Sequence, residues 1–419
     1  MEEDSKPFEK QSEETLGLAT LAIHSGQDAD NWKSRALVTP IVTSNSFKHD
    51  VYAEGEEYHY SRMSNPTRKA LETNLASLEG GKYGLVFGSG LGALSTVIYL
   101  LKSGDSIVVS EGYGGTHRYF RRCADQLGLK ATFVDGTNVE NFASAIQPNT
   151  RLVWMESPTN PLMKLIDIQA VCNRIRSITS DWTEKPIIVV DNTVMSSYFQ
   201  RPLSLGVDIV MHSLSKYMNG HSDVIMGALI LSNEEIYEKL KFFQMAVGVT
   251  SSPFDCYLVL RGLKTLHVRM REHEKNSLEV ARFLEQHPCC VKVNHPGLPS
   301  HPQYELGRRQ MDGYSGVLSF YIKGGLDDAK RFVSKLKLFA FAASLGGYES
   351  LCEIPMTFSQ RHTPAGQRET TGITQSLVRL SVGLEDVKDL KRDIGQALDY
   401  MLSAQNSAEP VAGGQISVP

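Results

Sequence analysis

Residues 185–216 read KPIIVVDNTVMSSYFQRPLSLGVDIVMHSLSK, and two short apolar runs in them each close on a charge. The first run ends at Asp191; the second leads through Ser213 and Ser215 to Lys216, 25 residues later (216 − 191). Runs of Val, Ile and Met without polar alternation fit strands buried on both faces, the pattern of a parallel sheet covered by helices. An exposed lysine belongs on a hydrated surface. One placed at the end of such a strand needs a task.

Outward from this stretch the same pattern recurs. YGLVFGS (83–89), DSIVVS (105–110), KATFVDG (130–136), TRLVWMESP (150–158) and DVIMGALILS (223–232) read as further strands, with helix-like segments such as LGALSTVIYLLKSG (91–104) between them. CYLVLRGLKTLHVRMREHEKNSLEVARFLEQHP (256–288) reads as one long helical stretch, with apolar residues three and four apart. Beyond it, GVLSFYI (316–322), KLFAFAASL (337–345) and LVRLSVGLED (377–386) suggest a smaller α+β unit. The expected organisation is a disordered 1–16, an arm over 17–64, a ligand-binding domain over 65–264, a C-terminal domain over 265–402 and a disordered tail over 403–419.

Composition narrows the class. The chain has 419 residues and a net charge of −4, with no basic block, which disfavours nucleic acid or an anionic membrane as partner. Six scattered cysteines show no CxxC or zinc spacing and read as reduced thiols of a cytoplasmic protein, the Cys289-Cys290 pair included. The acidic, polar start MEEDSKPFEKQSEE resembles no signal or transit sequence, and no apolar run nears the ~20 residues needed to span a bilayer. No metal site is expected.

In α/β sheets ligands gather at the C-terminal ends of the strands. Four such ends carry chemistry: FGSGLGA (87–93), ESPTNP (156–161), VDNT (190–193) and HSLSK (212–216). The run from Gly88 to Ala93 fits G-x-G-x-x-A, with Glu111 ending the next strand, as in a dinucleotide fold. Free N–H groups at a helix start bind any phosphate, however, so a phosphate ester serves equally well. Asp191 and Lys216 favour pyridoxal phosphate, which needs an amine to hold its aldehyde, an acid for its ring nitrogen and a phosphate cup. Ser213 and Ser215 can donate to that phosphate.

The stretch from Asp191 to Asp223 resembles the lysine segment of the pyridoxal-phosphate enzymes of cysteine and methionine transsulfuration. YHYSRMSNPTR (58–68), GSGLGAL (88–94), EGYGGTHRYF (111–120), ESPTNP, RGLKTLHVRM (261–270), HPGLPSHP (295–302), SLGGYES (344–350) and LVRLSVGLED occur in that family's order. The resemblance implies an aspartate-aminotransferase-type α/β fold, pyridoxal 5'-phosphate as cofactor, and a homotetramer built from two tight dimers. It implies that Lys216 holds the cofactor and shuttles protons, that Asp191 faces the ring nitrogen, and that Tyr113 stacks on the ring and takes part in catalysis. It assigns the phosphate to Ser89, Gly90, Leu91, Ser213 and Ser215, joined by Tyr60 and Arg62 from a neighbouring subunit. Arg379 would bind the substrate α-carboxylate, helped by Asn160 and Ser344, with Arg118 a candidate for the substrate's distal end. The implied reaction is α,γ-elimination of L-cystathionine, with hydrogen sulfide from cysteine or homocysteine as a side product. β-Elimination, γ-synthesis and methionine γ-elimination are the alternatives on the same apparatus.

Three positions depart from the γ-eliminating pattern. Ala343 stands where an acid often precedes the serine, His59 where an acid often precedes the tyrosine, and Phe358 where a histidine is expected. These leave the cofactor chemistry intact and bear on how the substrate's far end is held.

Overall fold

In the computed structural model, which describes residues 16–51, 55, 57–361 and 363–406, the strand-like runs assemble into two sheets. The first contains β1 (Tyr83–Phe87), β2 (Ser106–Ser110), β3 (Lys130–Val134), β4 (Thr150–Glu156), β5 (Ile187–Asp191), β6 (Ile209–Ser213) and β7 (Gly227–Leu231), in the order β1-β7-β6-β5-β4-β2-β3. The pairs from β3 through β6 are parallel; β7 is antiparallel to both β6 and β1. Side chains alternate across a strand, so each run supplies two cores at once. Ile107, Val109, Leu152, Trp154, Val189 and Ile209 pack with Leu94 and Val97 of helix Gly90–Ile98 on one face. Val108, Val153, Met155, Ile188, Val190 and Val210 pack with Val171 and Ile175 of helix Ile168–Ile178 on the other. This two-sided demand explains the near absence of polar alternation in the runs.

The second sheet contains β8 (Cys290–Asn294), β9 (Val317–Ile322), β10 (Ala340–Phe341), β11 (Leu351–Glu353) and β12 (Leu377–Ser381), ordered β10-β11-β12-β9-β8. Its core joins Phe320 and Leu380 to Phe332 of helix Leu326–Lys335 and Leu398 of helix Val387–Asn406.

Several expectations differ from the structure. The stretch 256–288 is two helices, Pro253–Leu263 and Leu266–Gln286. The helix is interrupted where the Gly262 carbonyl accepts from Thr265 N (3.2 Å) and from Arg269 Nη2 (2.8 Å). Nor does position 264 divide two independent cores: the second helix places Leu266 and Met270 in the core under the first sheet, and Val280 and Leu284 in the core of the second. Strands β8 and β11 lie in CCVKVN and LCE, which carry no long apolar run, and only two residues of KLFAFAASL pair as strand. The expectations of disorder fall mostly on residues 1–15 and 407–419, outside the described residues, but helix Val387–Asn406 continues four residues past the expected end at 402. Among the described residues of segment 17–64, the regular structure is helix Leu18–His24, the short 3-10 helix Ala29–Asn31 and one isolated bridge, Ser46 to Tyr60.

Candidate functional site

The parallel register brings the strand ends together. Glu156 lies opposite Asp191 across β4 and β5, and Asp191 lies opposite Met211 across β5 and β6. Thr193 ties two of these ends: its N–H donates to Asp191 Oδ1 (3.0 Å), and its Oγ1 accepts from Ser213 N (2.8 Å). Asp191 is buried, and among the described residues no lysine or arginine pairs with it. Burial pushes its carboxyl above the ordinary value, opposed by the Thr193 hydrogen bonds. Glu156 is pushed up for the same reason and then by the Asp191 charge.

Three residues past β6, in the turn of Lys216 N–H to Ser213 O (3.2 Å), the Lys216 amine donates to Ser344 Oγ at 2.7 Å. Removal from water, and after it the nearby Arg379 cation, lower the amine from 10.5 to about 8. Ser344 holds φ +112°, a backbone conformation rare for a side-chain-bearing residue, and it presents its carbonyl to Arg379 Nη2.

Arg379 is 2% exposed, on β12. Its Nη1 meets Glu353 Oε1 at 3.0 Å, from the adjacent position of β11, and donates to Asn160 Oδ1 at 3.2 Å. Among the described residues its Nε is buried without a partner, an N–H left over for an acceptor. Asn160 is itself held by Glu156, whose Oε1 accepts from Asn160 N (2.7 Å) while Oε2 accepts from Tyr113 N (2.8 Å). Tyr113 opens helix Gly114–Tyr119 and is 40% exposed. Its phenol is raised by burial and lowered in part by the charge of exposed Arg118.

Helix Gly90–Ile98 points its N-terminus at the end of β6. Ser89 caps it, its Oγ accepting from Gly92 N at 2.9 Å, so the first amides of the helix, those of Gly90 and Leu91, have no intrahelical acceptor. The approach depends on glycine: a Cβ on Gly227 would lie 2.4 Å from Ser89 O, and one on Gly90 would lie 3.2 Å from Ser213 Cβ. Ser215, by contrast, spends its hydroxyl on Met226, accepting from its N–H (3.0 Å). Arg62 donates to Met245 O (2.9 Å) with its guanidinium 5.7 Å over the Tyr60 ring; both are exposed, and neither touches Lys216, Asp191 or Arg379 among the described residues.

The structure therefore gathers Lys216, Asp191, Ser213, Ser89, Gly90, Leu91, Tyr113, Asn160, Ser344 and Arg379, and leaves Tyr60, Arg62 and Arg118 at the surface. Sequence reasoning passed over Glu156, Thr193 and Glu353. Glu156 and Thr193 sit at strand ends already singled out, so that rule could have found them; Glu353, in a three-residue strand, had no local signal. Glu111 bears on the dinucleotide question: its Oε2 is engaged by Lys164 Nζ at 2.6 Å, which disfavours it as a ribose ligand.

A cationic ring nitrogen suits the carboxylate of Asp191, with which no lysine or arginine pairs among the described residues, an aldehyde suits the partly neutral Lys216 amine, and a phosphate suits the helix start beside Ser213. Fold and site together define a pyridoxal-phosphate enzyme of the aspartate-aminotransferase type. The chain belongs to the family of Cys/Met metabolism PLP-dependent enzymes, whose model matches residues 19–399. It is 53% identical to the cystathionine gamma-lyase of Mus musculus over 382 residues, 91% of this chain and 95% of that one. Its identity to the cystathionine gamma-lyase of Dictyostelium discoideum is 50% over 384 residues, 91% and 97% of the two chains. Among solved structures, metB from Corynebacterium glutamicum superposes with a TM-score of 0.87 at 41% identity, covering 92% of this chain and 98% of the other. Cystathionine gamma synthase from Xanthomonas oryzae pv. oryzae gives 0.88 at 37%, covering 93% and 99%.

Proposed function

We propose that this enzyme cleaves L-cystathionine with water to L-cysteine, 2-oxobutyrate and ammonia. The observation that carries the proposal is the pairing of a strand-end amine lowered to about 8 with a buried guanidinium that keeps one N–H free. Identities of 50–53% to cystathionine gamma-lyases over nine-tenths of the chain support the choice of substrate.

Bound pyridoxal phosphate supplies an electron sink for charge developing at the substrate Cα. Asp191 keeps the ring nitrogen protonated, with Thr193 holding the carboxylate in place. Gly90 and Leu91 donate their amides to the phosphate, Ser89 and Ser213 border it, and Ser215 contributes by fixing the strand end through Met226. Arg379 takes the α-carboxylate, a task its planar fork suits, and Asn160 and Glu353 orient it. Lys216 would hold the cofactor aldehyde and would serve as the base for the Cα proton; its lowered basicity leaves a useful neutral fraction near pH 7. Tyr113, raised in pKa, stays protonated and is placed to give a proton to the departing sulfur. Arg118 lies at the distal end.

Tyr60 and Arg62 complete a neighbouring subunit's phosphate site in a homotetramer of two dimers; their distance from their own Lys216 cluster supports this. Residues 17–64 then form an arm between subunits, residues 65–264 carry the cofactor and residues 265–402 carry Arg379. Six free cysteines support a reducing, cytoplasmic setting. Among the described residues no helix is long and apolar enough to cross a membrane.

A second reading rests on the site rim. Ala343 is exposed beside Ser344, and Phe358 meets Phe341 edge-on with ring centroids 5.2 Å apart, so this rim is apolar. It alters how free cysteine or homocysteine binds, and with it hydrogen sulfide release. The deciding experiment separates 2-oxobutyrate from pyruvate after incubation with L-cystathionine, with Lys216→Ala in parallel. Dominant 2-oxobutyrate, lost in the variant, supports γ-elimination; dominant pyruvate replaces it with β-elimination.

A further inference from the structure

The loop that carries Lys216 is held from behind by a residue with no place in the chemistry above. Arg269, in the first turn of helix Leu266–Gln286, is 6% exposed. Its Nη1 donates to Tyr217 O (2.6 Å), its Nη2 to Met218 O (3.2 Å) and Gly262 O (2.8 Å), and its Nε to Thr265 Oγ1 (3.3 Å). Every acceptor is neutral, and among the described residues no carboxylate pairs with this guanidinium. Burying a cation on neutral carbonyls is costly, so simple charge pairing does not explain its position. The backbone is shaped to admit it. Gly220 has φ +74°, and a Cβ there would lie 2.0 Å from Arg269 Nη1; a Cβ on Gly262 would lie 2.3 Å from Asn219 O.

The same helix face continues to the other half of the site. One turn on, His273 packs edge-on against the Tyr217 ring (5.0 Å, 81°) and bonds Val382 O through Nδ1 at 2.8 Å. The next turn brings Asn276, whose Nδ2 donates to Gly383 O (3.1 Å) and Glu385 O (3.0 Å). Residues 269, 273 and 276 follow helical spacing and lie on one face. Tyr217 and Met218 directly follow the amine-bearing residue, and Val382 and Gly383 directly follow the strand that carries Arg379. One rigid helix thus touches the chain just beyond each of the two groups that handle the substrate.

We propose that Arg269 is a positioning residue for Lys216, and that the face Arg269–His273–Asn276 acts as a spacer setting the amine against Arg379. The inference rests on the reading of Lys216 as the cofactor lysine. The fork geometry is the point: four acceptors on different parts of the chain suit a guanidinium with five N–H donors, and an ammonium with three cannot serve them together.

The test compares holoenzymes carrying Arg269→Lys, Asn276→Ala and Asp393→Asn. Asp393 accepts the amides of Lys337 and Leu338 in the second core and gives a variant destabilised away from the site. Thermal stability, kcat and KM for L-cystathionine, and the pH midpoint of the bound cofactor's visible absorbance are measured for each. The expected result is a kcat about 10- to 100-fold lower for Arg269→Lys, the scale of a misplaced reacting group, with KM little changed and the absorbance midpoint moved. Asn276→Ala, which loosens the far end of the spacer, lowers kcat in the same sense and keeps the inference testable if Arg269→Lys does not fold. Asp393→Asn loses stability and keeps both kcat and midpoint. If the Arg269 and Asn276 variants lose only stability, as Asp393→Asn does, their role is structural and the inference falls. A Lys216→Ala protein that keeps the visible band and the activity instead overturns the underlying reading of Lys216.

Discussion

At the scale of single residues, the site is a set of buried charges whose neighbours decide their protonation. Lys216 is lowered because burial and Arg379 both disfavour its charged form. The folded value near 8 lies below the unfolded value near 10.5, so between these the unfolded chain binds the extra proton, and the cofactor-free protein gains stability as pH rises through that window. The rate at which cofactor-free protein captures pyridoxal phosphate should climb with pH to a midpoint near 8, followed by absorbance; a midpoint near 10.5 would contradict the burial of the amine. Glu353→Gln tests the other pole. Removing the carboxylate that, among the described residues, alone pairs with buried Arg379 should cost about 3–5 kcal/mol of stability, read from denaturant unfolding, and should raise KM for L-cystathionine.

Among the elements, strand ends and one helix start matter most. The tight crossing of β7 over the Ser89–Gly90 turn exists because Gly227 has no Cβ. Gly227→Ala should push the start of helix Gly90–Ile98 off the end of β6, destabilising the protein by about 1–3 kcal/mol and weakening cofactor retention on dialysis. A variant with unchanged retention would show that this helix start does not hold the phosphate. The break between helices Pro253–Leu263 and Leu266–Gln286 belongs here too, since it frees the Gly262 carbonyl for Arg269.

For the whole molecule, Tyr60 and Arg62 pose the question of assembly. If they serve a neighbour's site, Arg62→Ala and Lys216→Ala proteins, each impaired alone, should regain activity when co-expressed, because a mixed dimer contains one site with both native residues. Mixed samples no better than the separate variants would place both residues in their own subunit's function. The interior offers no clean division to exploit: helix Leu266–Gln286 is shared by both cores, so cutting the chain near residue 264 should leave neither part folded alone, as circular dichroism of the fragments would show.

Much of this was legible in the sequence. The interior strands of the first sheet are largely apolar runs with a turn after them, because a strand buried on both faces has few polar positions to vary; the edge strand β3, KATFV, is partly exposed and keeps polar residues. The same rule marked Asp191 and Lys216, since a charge ending an apolar run is conspicuous. By itself the sequence also determined the glycine-rich turn that opens helix Gly90–Ile98 and the motifs that identify the family. It could not reveal β8 and β11, which are short and owe their pairing to neighbours far along the chain. Nor could it tell that Ser215 is occupied by Met226, that Glu111 is claimed by Lys164, or that Arg379 is shared between Glu353 and Asn160. Those are contacts between residues 11 to 219 positions apart, and only the packed fold sets their distances. Local pattern fixes which face of a strand or helix is buried; which charge meets which is decided when the layers close.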